Sequence, residues 1–240
     1  MGKQKMLSFI RNSPKSDNEI LDLIHSDVYV PHNIKSLGGA SYFVTFVDDA
    51  SRKVRDFPIK SKDQVLDTFQ KFHMVVERET NRLIICIRTN NGKEYCSNSF
   101  EEYYSEHGIK HLKIVPRTPQ QNRTTERMNQ TIMEKVRSML SYFGLPKYFW
   151  VEVVRTTCYL INHSPTTSLD GGIPEKVWAG KDLCYTHLSI FGCESYVHIP
   201  KEQRSKLDEE SLKCVFLGYF DNELVGSCKK ENYQKQGCHF

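Results

Sequence analysis

The amino-acid sequence predicts an α/β fold, in which helices cover a mixed β-sheet and a small β module follows. The first observation is that strand-like segments come in a meander and then alternate with helical segments. The second is a change after about residue 186, where short strand-like runs surround a charged loop. Hydrophobic residues make up 39% of the 240-residue chain, which is enough for a sizeable core.

Three strands are predicted to begin the sheet. The segments 23-LIHSDVYV-30 and 42-YFVTFV-47 carry the β-branched and aromatic residues that favour strands. The polar cluster 48-DDAS-51 predicts a turn, after which 52-RKVRDFPIK-60 can return antiparallel. Apolar residues at helical spacing then predict a helix over 63–79.

The rest of the sheet is predicted to alternate strands with helices. The apolar run 82-RLIICIR-88 predicts a central strand, and a short helix over 98–106 separates it from a strand over 109–115. A long helix over 118–144 and a second apolar helix over 146–165 come next. The long helix is predicted to start at Thr118 and Pro119, to stop at Gly144 and to bury Met128, Ile132, Val136, Met139 and Phe143.

A small β module is predicted from 189-SIFGCESYVHI-199 and 212-LKCVFLGYF-220. We expect it to pack on the core without being needed for the folding of the core. The last twenty residues are polar and lack periodicity. The predicted divisions are a basic arm or linker over 1–20, a core over 21–183, the β module over 187–219 and a divergent polar tail over 220–240.

Composition and charge narrow the function classes. No apolar run approaches the roughly 18 residues of a membrane span, so we expect a soluble intracellular protein with no membrane partner. The eight cysteines form no Cys-x-x-Cys pair, so no zinc site is expected. Residues 110–155 hold nine Lys or Arg and only three acids. Such a basic surface suits a polyanion, and a solvated helix face is the alternative.

Three polar residues stand where a catalytic site could form. Asp27 lies in the first strand, Asn90 lies just past the apolar central strand, and Glu126 lies in the first turns of the long helix. At 100° per residue Glu126 falls about 120° from the core stripe, so its carboxylate could face the open ends of the sheet. Each residue alone is ordinary, because an Asp in a strand or a Glu on a helix is usually structural or solvated.

A series of ordered motifs resembles a known family. They are 25-HSDV-28, 36-SLGGASYFVTFVDDASRKV-54, 119-PQQNRTTERMNQTIMEKVRSML-140, 149-FWVEVV-154, 160-LINHSP-165, 174-PEKVW-178, 187-HLSIFGC-193 and 217-LGY-219. From about Lys3 to Tyr219, the sequence resembles the integrase region of a copia-type long-terminal-repeat retrotransposon Pol polyprotein. The resemblance implies DNA integration as the activity, and a ribonuclease-H-like core followed by a small SH3-like β module as the fold.

The resemblance also implies a catalytic triad of Asp, Asp and Glu, with 35 residues between the last two. Asp27 matches the first acid and Glu126 the third, whereas Asn90 fills the second position, with 35 residues between it and Glu126. The implied metal ligands are Asp27 and Glu126, and the implied ion is Mg²⁺ or Mn²⁺. Two ions roughly 3.5–4 Å apart need anionic oxygens, and asparagine offers one neutral carbonyl oxygen. We therefore expect a weakened metal site and impaired catalysis.

Two alternatives stay open at this point. In one, Glu94, Asp48 or Asp49 is a substitute ligand, and the chain is an active Mg-dependent polynucleotidyl transferase or nuclease. In the other, it is a non-catalytic remnant that binds proteins. DNA is the expected partner, and the nucleus is the expected location if the chain is functional. Assembly into a homo-oligomer is left as an open alternative. The predicted DNA contacts are Lys113, Arg117, Gln121, Asn122, Arg123, Arg127, Asn129 and Arg137.

Overall fold

A computed structural model describes residues 18–31, 34–90, 92–113, 123–205, 208–220, 223–228 and 237–239. Within these residues the chain forms two β-sheets and five α-helices. None of the helices in the described ranges is long and apolar enough to cross a membrane. The strands are β1 (Leu23–Tyr29), β2 (Tyr42–Asp48), β3 (Val54–Ile59), β4 (Cys86–Thr89), β5 (Lys110–Lys113), β6 (Glu194–His198), β7 (Ser211–Phe220), β8 (Glu223–Cys228) and β9 (Gly237–His239). The helices are α1 (Val65–Thr80), α2 (Asn98–Glu106), α3 (Arg123–Tyr142), α4 (Trp150–Asn162) and α5 (Pro174–Ala179).

The first sheet is mixed, as predicted, with the strand order β3-β2-β1-β4-β5. Strand β2 pairs antiparallel with both β1 and β3, an arrangement that needs no crossover helix between neighbouring strands. Strand β4 pairs parallel with β1 and with β5. Each parallel neighbour is reached through a helix, α1 or α2, since a parallel crossover needs a longer connection.

Helices cover both faces of this sheet and divide the core in two. Helices α1 and α2 bury aromatic residues such as Phe69 and Phe100 against Phe46 of β2. Helices α3 and α4 cover the other face, where Ile132 and Trp150 belong to a second hydrophobic cluster. The predicted stripe of α3 is buried at its centre and partly buried at its ends.

Several element boundaries differ from the sequence prediction: β4 begins at Cys86 and β6 at Glu194, both later than predicted. The predicted start of the long helix at 118–122 lies outside the described residues. The second long helix begins only at Trp150, because a 3-10 turn over Lys147–Phe149 precedes it. The short helix α5 was not predicted. It has Pro174 in its first turn and ends at Gly180, whose φ is +64°.

The four-stranded sheet is antiparallel in the order β6-β7-β8-β9. The sequence analysis assigned no element to the polar tail, and its described parts, 223–228 and 237–239, form β8 and β9. Strand β7 pairs with β6 along one edge, and β8 forms backbone hydrogen bonds with its other edge. Such pairing needs no alternation of apolar side chains, so the tail carried no periodic signal.

Candidate active site

The parallel pairing of β1 with β4 brings two of the predicted site residues together. In this register Ser26 lies opposite Thr89, so Asp27 and Asn90 follow at the same end of the sheet. Asn90 Nδ2 donates a hydrogen bond of 2.7 Å to Asp27 Oδ1. The N–H of Gly92 donates to Asn90 Oδ1 at 3.1 Å, which turns the NH₂ group of the amide toward Asp27.

The second carboxylate oxygen of Asp27 is bound from helix α3. Asn129 Nδ2 donates to Asp27 Oδ2 at 3.1 Å, and Asn129 Oδ1 accepts a hydrogen bond of 3.0 Å from Thr45 Oγ1. Thr45 lies opposite Asp27 in the β1–β2 pair, so these side chains tie α3 to two strands. Asn129 is fully buried. The prediction that it contacts DNA is therefore wrong, because its amide is used inside the protein.

The buried environment of Asp27 disfavours the charged form of its carboxylate. Burial raises its pKa to about 6, because the water that would stabilise the carboxylate is largely excluded. The hydrogen bonds from Asn129 and from the backbone N–H of Val28 oppose this shift, whereas the negative charges of Glu126 and Glu94 add to it. The net upward pKa shift means that these hydrogen bonds do not offset the cost of burying the charged carboxylate.

Glu126 completes the set of three predicted catalytic residues. It lies in the first turn of α3, one helical turn before Asn129, and its side chain is exposed. Its charge acts on Asp27, so the start of α3 faces the same end of the sheet as Asp27 and Asn90. The three positions therefore converge in space, and their catalytic role stays a prediction.

The residues present do not fit a site for two divalent cations. Both oxygens of Asp27 already accept N–H groups, from Asn90 and from Asn129. Asn90 directs hydrogen atoms into the space where a ligand would direct a lone pair. Within the described ranges, no group of three His, Cys, Asp or Glu side chains is arranged to hold a metal ion.

The three candidate substitute ligands are engaged elsewhere. Glu94 forms an ion pair of 3.2 Å with Lys62, and only 9% of its side chain is exposed. Asp48 accepts hydrogen bonds from the backbone and the hydroxyl of Ser51. Asp49 pairs with a histidine and an arginine. Of the three, Glu94 is the one whose charge acts on Asp27.

The predicted DNA contacts are only partly described. Lys113 is exposed and forms an ion pair of 2.7 Å with Glu101. Arg127 and Arg137 are exposed on α3, and Arg137 Nε donates to the carbonyl of Met133 at 3.1 Å. The residues Arg117, Gln121 and Asn122 and the side chain of Arg123 lie outside the described part of the chain.

Sequence reasoning missed Thr45 and gave Asn129 the wrong role. Thr45 is the one polar residue inside the run 42-YFVTFV-47, and a buried hydroxyl in such a strand indicates a hydrogen-bonded partner. Asn129 follows Glu126 by three residues, so it lies on the same side of the helix. These two signals together could have predicted a polar contact between α3 and the sheet.

Two family models match the chain, and plant polyproteins are similar to it. The integrase core domain matches residues 18–119, and the retroviral polymerase SH3-like domain matches residues 193–224. The Retrovirus-related Pol polyprotein from transposon TNT 1-94 of Nicotiana tabacum is 56% identical over 223 residues, which are 93% of this chain and 17% of that polyprotein. The one from transposon RE1 of Arabidopsis thaliana is 36% identical over 199 residues, 83% of this chain and 13% of the polyprotein.

Solved integrase structures share the fold. A chain of the simian T-cell lymphotropic virus intasome in complex with PP2A regulatory subunit B56 gamma gives a TM-score of 0.53 at 14% identity, covering 85% of this chain and 72% of that chain. The HTLV-2 integrase catalytic core domain in complex with magnesium, a dimeric form, gives 0.50 at 16% identity, covering 66% and 97%. These likenesses confirm the predicted integrase-core fold. The chain therefore belongs to the integrase core family and corresponds to the integrase region, with its SH3-like module, of a copia-type long-terminal-repeat retrotransposon Pol polyprotein.

Proposed function

We propose that this chain is a DNA-binding integrase core whose catalytic step is impaired. The observation that carries the proposal is the hydrogen bond of 2.7 Å from Asn90 Nδ2 to Asp27 Oδ1. DNA integration requires an in-line attack of a 3′-hydroxyl on a phosphodiester, and developing negative charge must be stabilised there. Asn90 supplies no anionic oxygen, and its NH₂ group occupies one side of the Asp27 carboxylate.

Binding of DNA is supported by the charge of the segment that carries α3. Residues 110–155 hold nine basic and three acidic residues, and Arg127 and Arg137 are exposed on α3. A helix face of this kind contacts phosphates and does not read bases, so we expect little sequence preference. Because the partner is DNA, we place the working protein in the nucleus. Assembly into a homo-oligomer is compatible with this proposal.

A salt titration tests the DNA-binding half of the proposal. Replacing Arg117, Arg123 and Arg127 together by Gln should flatten the dependence of log affinity on log salt by about two to three units, if each arginine meets a phosphate. The matched control replaces Lys181, Lys201 and Lys213 by Gln, outside the basic segment. Equal effects of the two triple variants would move the DNA path away from α3.

A strand-transfer assay with Mg²⁺ or Mn²⁺ tests the catalytic half. The wild-type chain should give little or no product, and Asn90→Asp should give more. The alternative of an active enzyme has one observation in its favour, the electrostatic influence of Glu94 on Asp27. If wild type is active and Glu94→Gln abolishes that activity, the alternative is correct. A chain that binds no DNA in a gel shift would leave only a protein-interaction role.

A further inference from the structure

Helix α4 and strand β7 approach so closely that the strand has no room for a side chain at Gly218. Thr156 of α4 is 1% exposed, and its Oγ1 lies 2.8 Å from the carbonyl oxygen of Leu217. The next residue is Gly218, with φ +127°. A Cβ added there would lie 1.7 Å from Thr156 Oγ1 and 2.9 Å from Thr156 Cβ. The backbone of β7 at Gly218 therefore lies against the side chain of Thr156 on α4.

A second contact of the same kind joins the module to the end of α3. Gly192 has φ +77°, and a Cβ added there would lie 2.2 Å from Cδ1 of Phe143. The ring of Phe143 packs against that of Phe191, with the ring centroids 5.3 Å apart. The N–H of Gly192 also donates to the carbonyl of Phe216 at 2.8 Å, which ties this contact to β7.

The module also supplies part of the core. Phe191 is 7% exposed and Leu217 is 3% exposed, and both belong to the hydrophobic cluster between the five-stranded sheet, α3 and α4. Partners in that cluster include Ile132 and Trp150. Apolar residues shared between two sheets contribute to the stability of both, because separating them would expose the surfaces on each side to water.

We infer that the SH3-like module and the integrase core form one cooperative folding unit, joined rigidly at Gly218 and Gly192. The sequence led us to expect a module that packs on the core without being needed for its folding, and these contacts argue against that expectation. The inference does not depend on the proposed function. It means that the outer surface of the module keeps a fixed position relative to Asp27, as a rigid part of the core would.

Hydrogen exchange measured by mass spectrometry on the full chain tests this inference. In Gly218→Ala the added methyl forces α4 and β7 apart, so peptides from both α4 and β7 should exchange faster, by a common factor of about ten or more. The matched control is Gly180→Ala, because Gly180 also has positive φ, +64°, but nothing lies within 4 Å of an added Cβ. Alanine is more strained at φ +127° than at +64°, so the excess over this control combines backbone strain with the separation of α4 from β7. A substitution of Thr156, which leaves Gly218 unchanged, isolates the contact.

A milder variant covers the case in which Gly218→Ala does not fold. Thr156→Val keeps the shape of the side chain and removes the hydroxyl that faces the carbonyl of Leu217. It should speed exchange in α4 and β7 together by a smaller common factor. If either variant speeds exchange in the module while α3 and α4 keep their wild-type protection, the module is an independent unit and the inference is overturned.

Discussion

The candidate active site and the joint between α4 and β7 differ in how they accommodate a small change in one side chain. At the candidate active site, an NH₂ group stands where the resemblance predicts a carboxylate oxygen, and it donates a hydrogen bond to Asp27. At the joint, one methyl group on Gly218 would lie 1.7 Å from the nearest oxygen. The site is polar and adjustable, whereas the joint is fixed by shape.

Under the proposed function, this difference explains how an integrase core is impaired in catalysis while its fold persists. A metal ligand at the end of a strand contributes more to binding the ion than to stabilising the fold. Its replacement by an isosteric amide therefore removes an anionic ligand and leaves the packing intact. A glycine between two elements sets the distance between their backbones, so its replacement changes packing everywhere along the contact. The comparison predicts large effects on stability at the joint and smaller effects at the site.

The largest expected effect comes from removing the module altogether. A chain ending at Asp182 lacks Phe191 and Leu217, and burial of each is worth about 1.5–3 kcal/mol. We expect it to unfold without a cooperative transition in urea or to aggregate, because it exposes one side of the second hydrophobic cluster. A chain ending at Cys228 retains both residues and is the control. A sharp transition in the shorter chain, with an m-value in proportion to its length, would show that the core folds alone.

A smaller effect is expected at Asn129, the buried amide of the site. Asn129→Ala removes the donor to Asp27 Oδ2 and leaves Thr45 Oγ1 with only its longer hydrogen bond, of 3.4 Å, to the carbonyl of Asp27. Unsatisfied buried groups cost about 1–3 kcal/mol each, so the free energy of unfolding should fall by about 2–4 kcal/mol. Arg127→Ala, two residues earlier on the exposed face, should cost less than about 0.5 kcal/mol. Equal losses in the two variants would mean that the network does not stabilise the fold.

The smallest effect is a pH dependence from Asp27. Its pKa of about 6 in the folded chain lies above the ordinary value of 3.8, so the folded state binds the proton more tightly than the unfolded state. The stability gained by protonation is complete below pH 3.8 and is lost as the pH rises through 6. Between pH 7 and pH 5, wild type should therefore gain about 1 kcal/mol relative to Asp27→Asn. Parallel curves for the two proteins would mean that Asp27 titrates normally.

Much of the fold could be predicted from the sequence because periodicity and turn residues report local structure. The strands β1 and β2 and the helices α1 and α2 lie where β-branched runs and helical spacing placed them. Strand β8 could not be predicted from a local pattern, because it forms by backbone pairing with the edge of β7. The role of the module could not be predicted either, since a Gly218 contact with a helix some sixty residues earlier leaves no local pattern.

The positions of the candidate site residues could be predicted from the sequence, but the hydrogen bonds among them could not. The register of the family motifs identified Asp27, Asn90 and Glu126, and the parallel pairing of β1 with β4 brings the first two together. That Asn90 donates to Asp27, and that Asn129 takes the other oxygen, depends on side-chain directions that a linear pattern does not contain. For the same reason, Asn129 was assigned to DNA when it is part of the core.

We propose that Asn90 is the defect in a site that is otherwise assembled. Asn90→Asp changes the volume of the side chain very little and replaces the hydrogen bond to Asp27 with a second carboxylate. Without metal, the repulsion among Asp27, Asp at position 90 and Glu126 should lower the melting temperature in chelator. Mg²⁺ or Mn²⁺ should then bind the restored carboxylates and raise it, since a ligand that binds only the folded state stabilises that state.

The most direct measurement is the change in melting temperature when the chelator is replaced by Mg²⁺ or Mn²⁺, compared between wild type and Asn90→Asp. We predict a small shift in wild type and a larger shift in Asn90→Asp. Adding Glu126→Gln to that variant should remove the gain. The variant Asn91→Asp, which adds the same charge one residue along, should behave like wild type. If Asn90→Asp responds to metal no more than wild type or Asn91→Asp does, the three side chains do not form an integrase site.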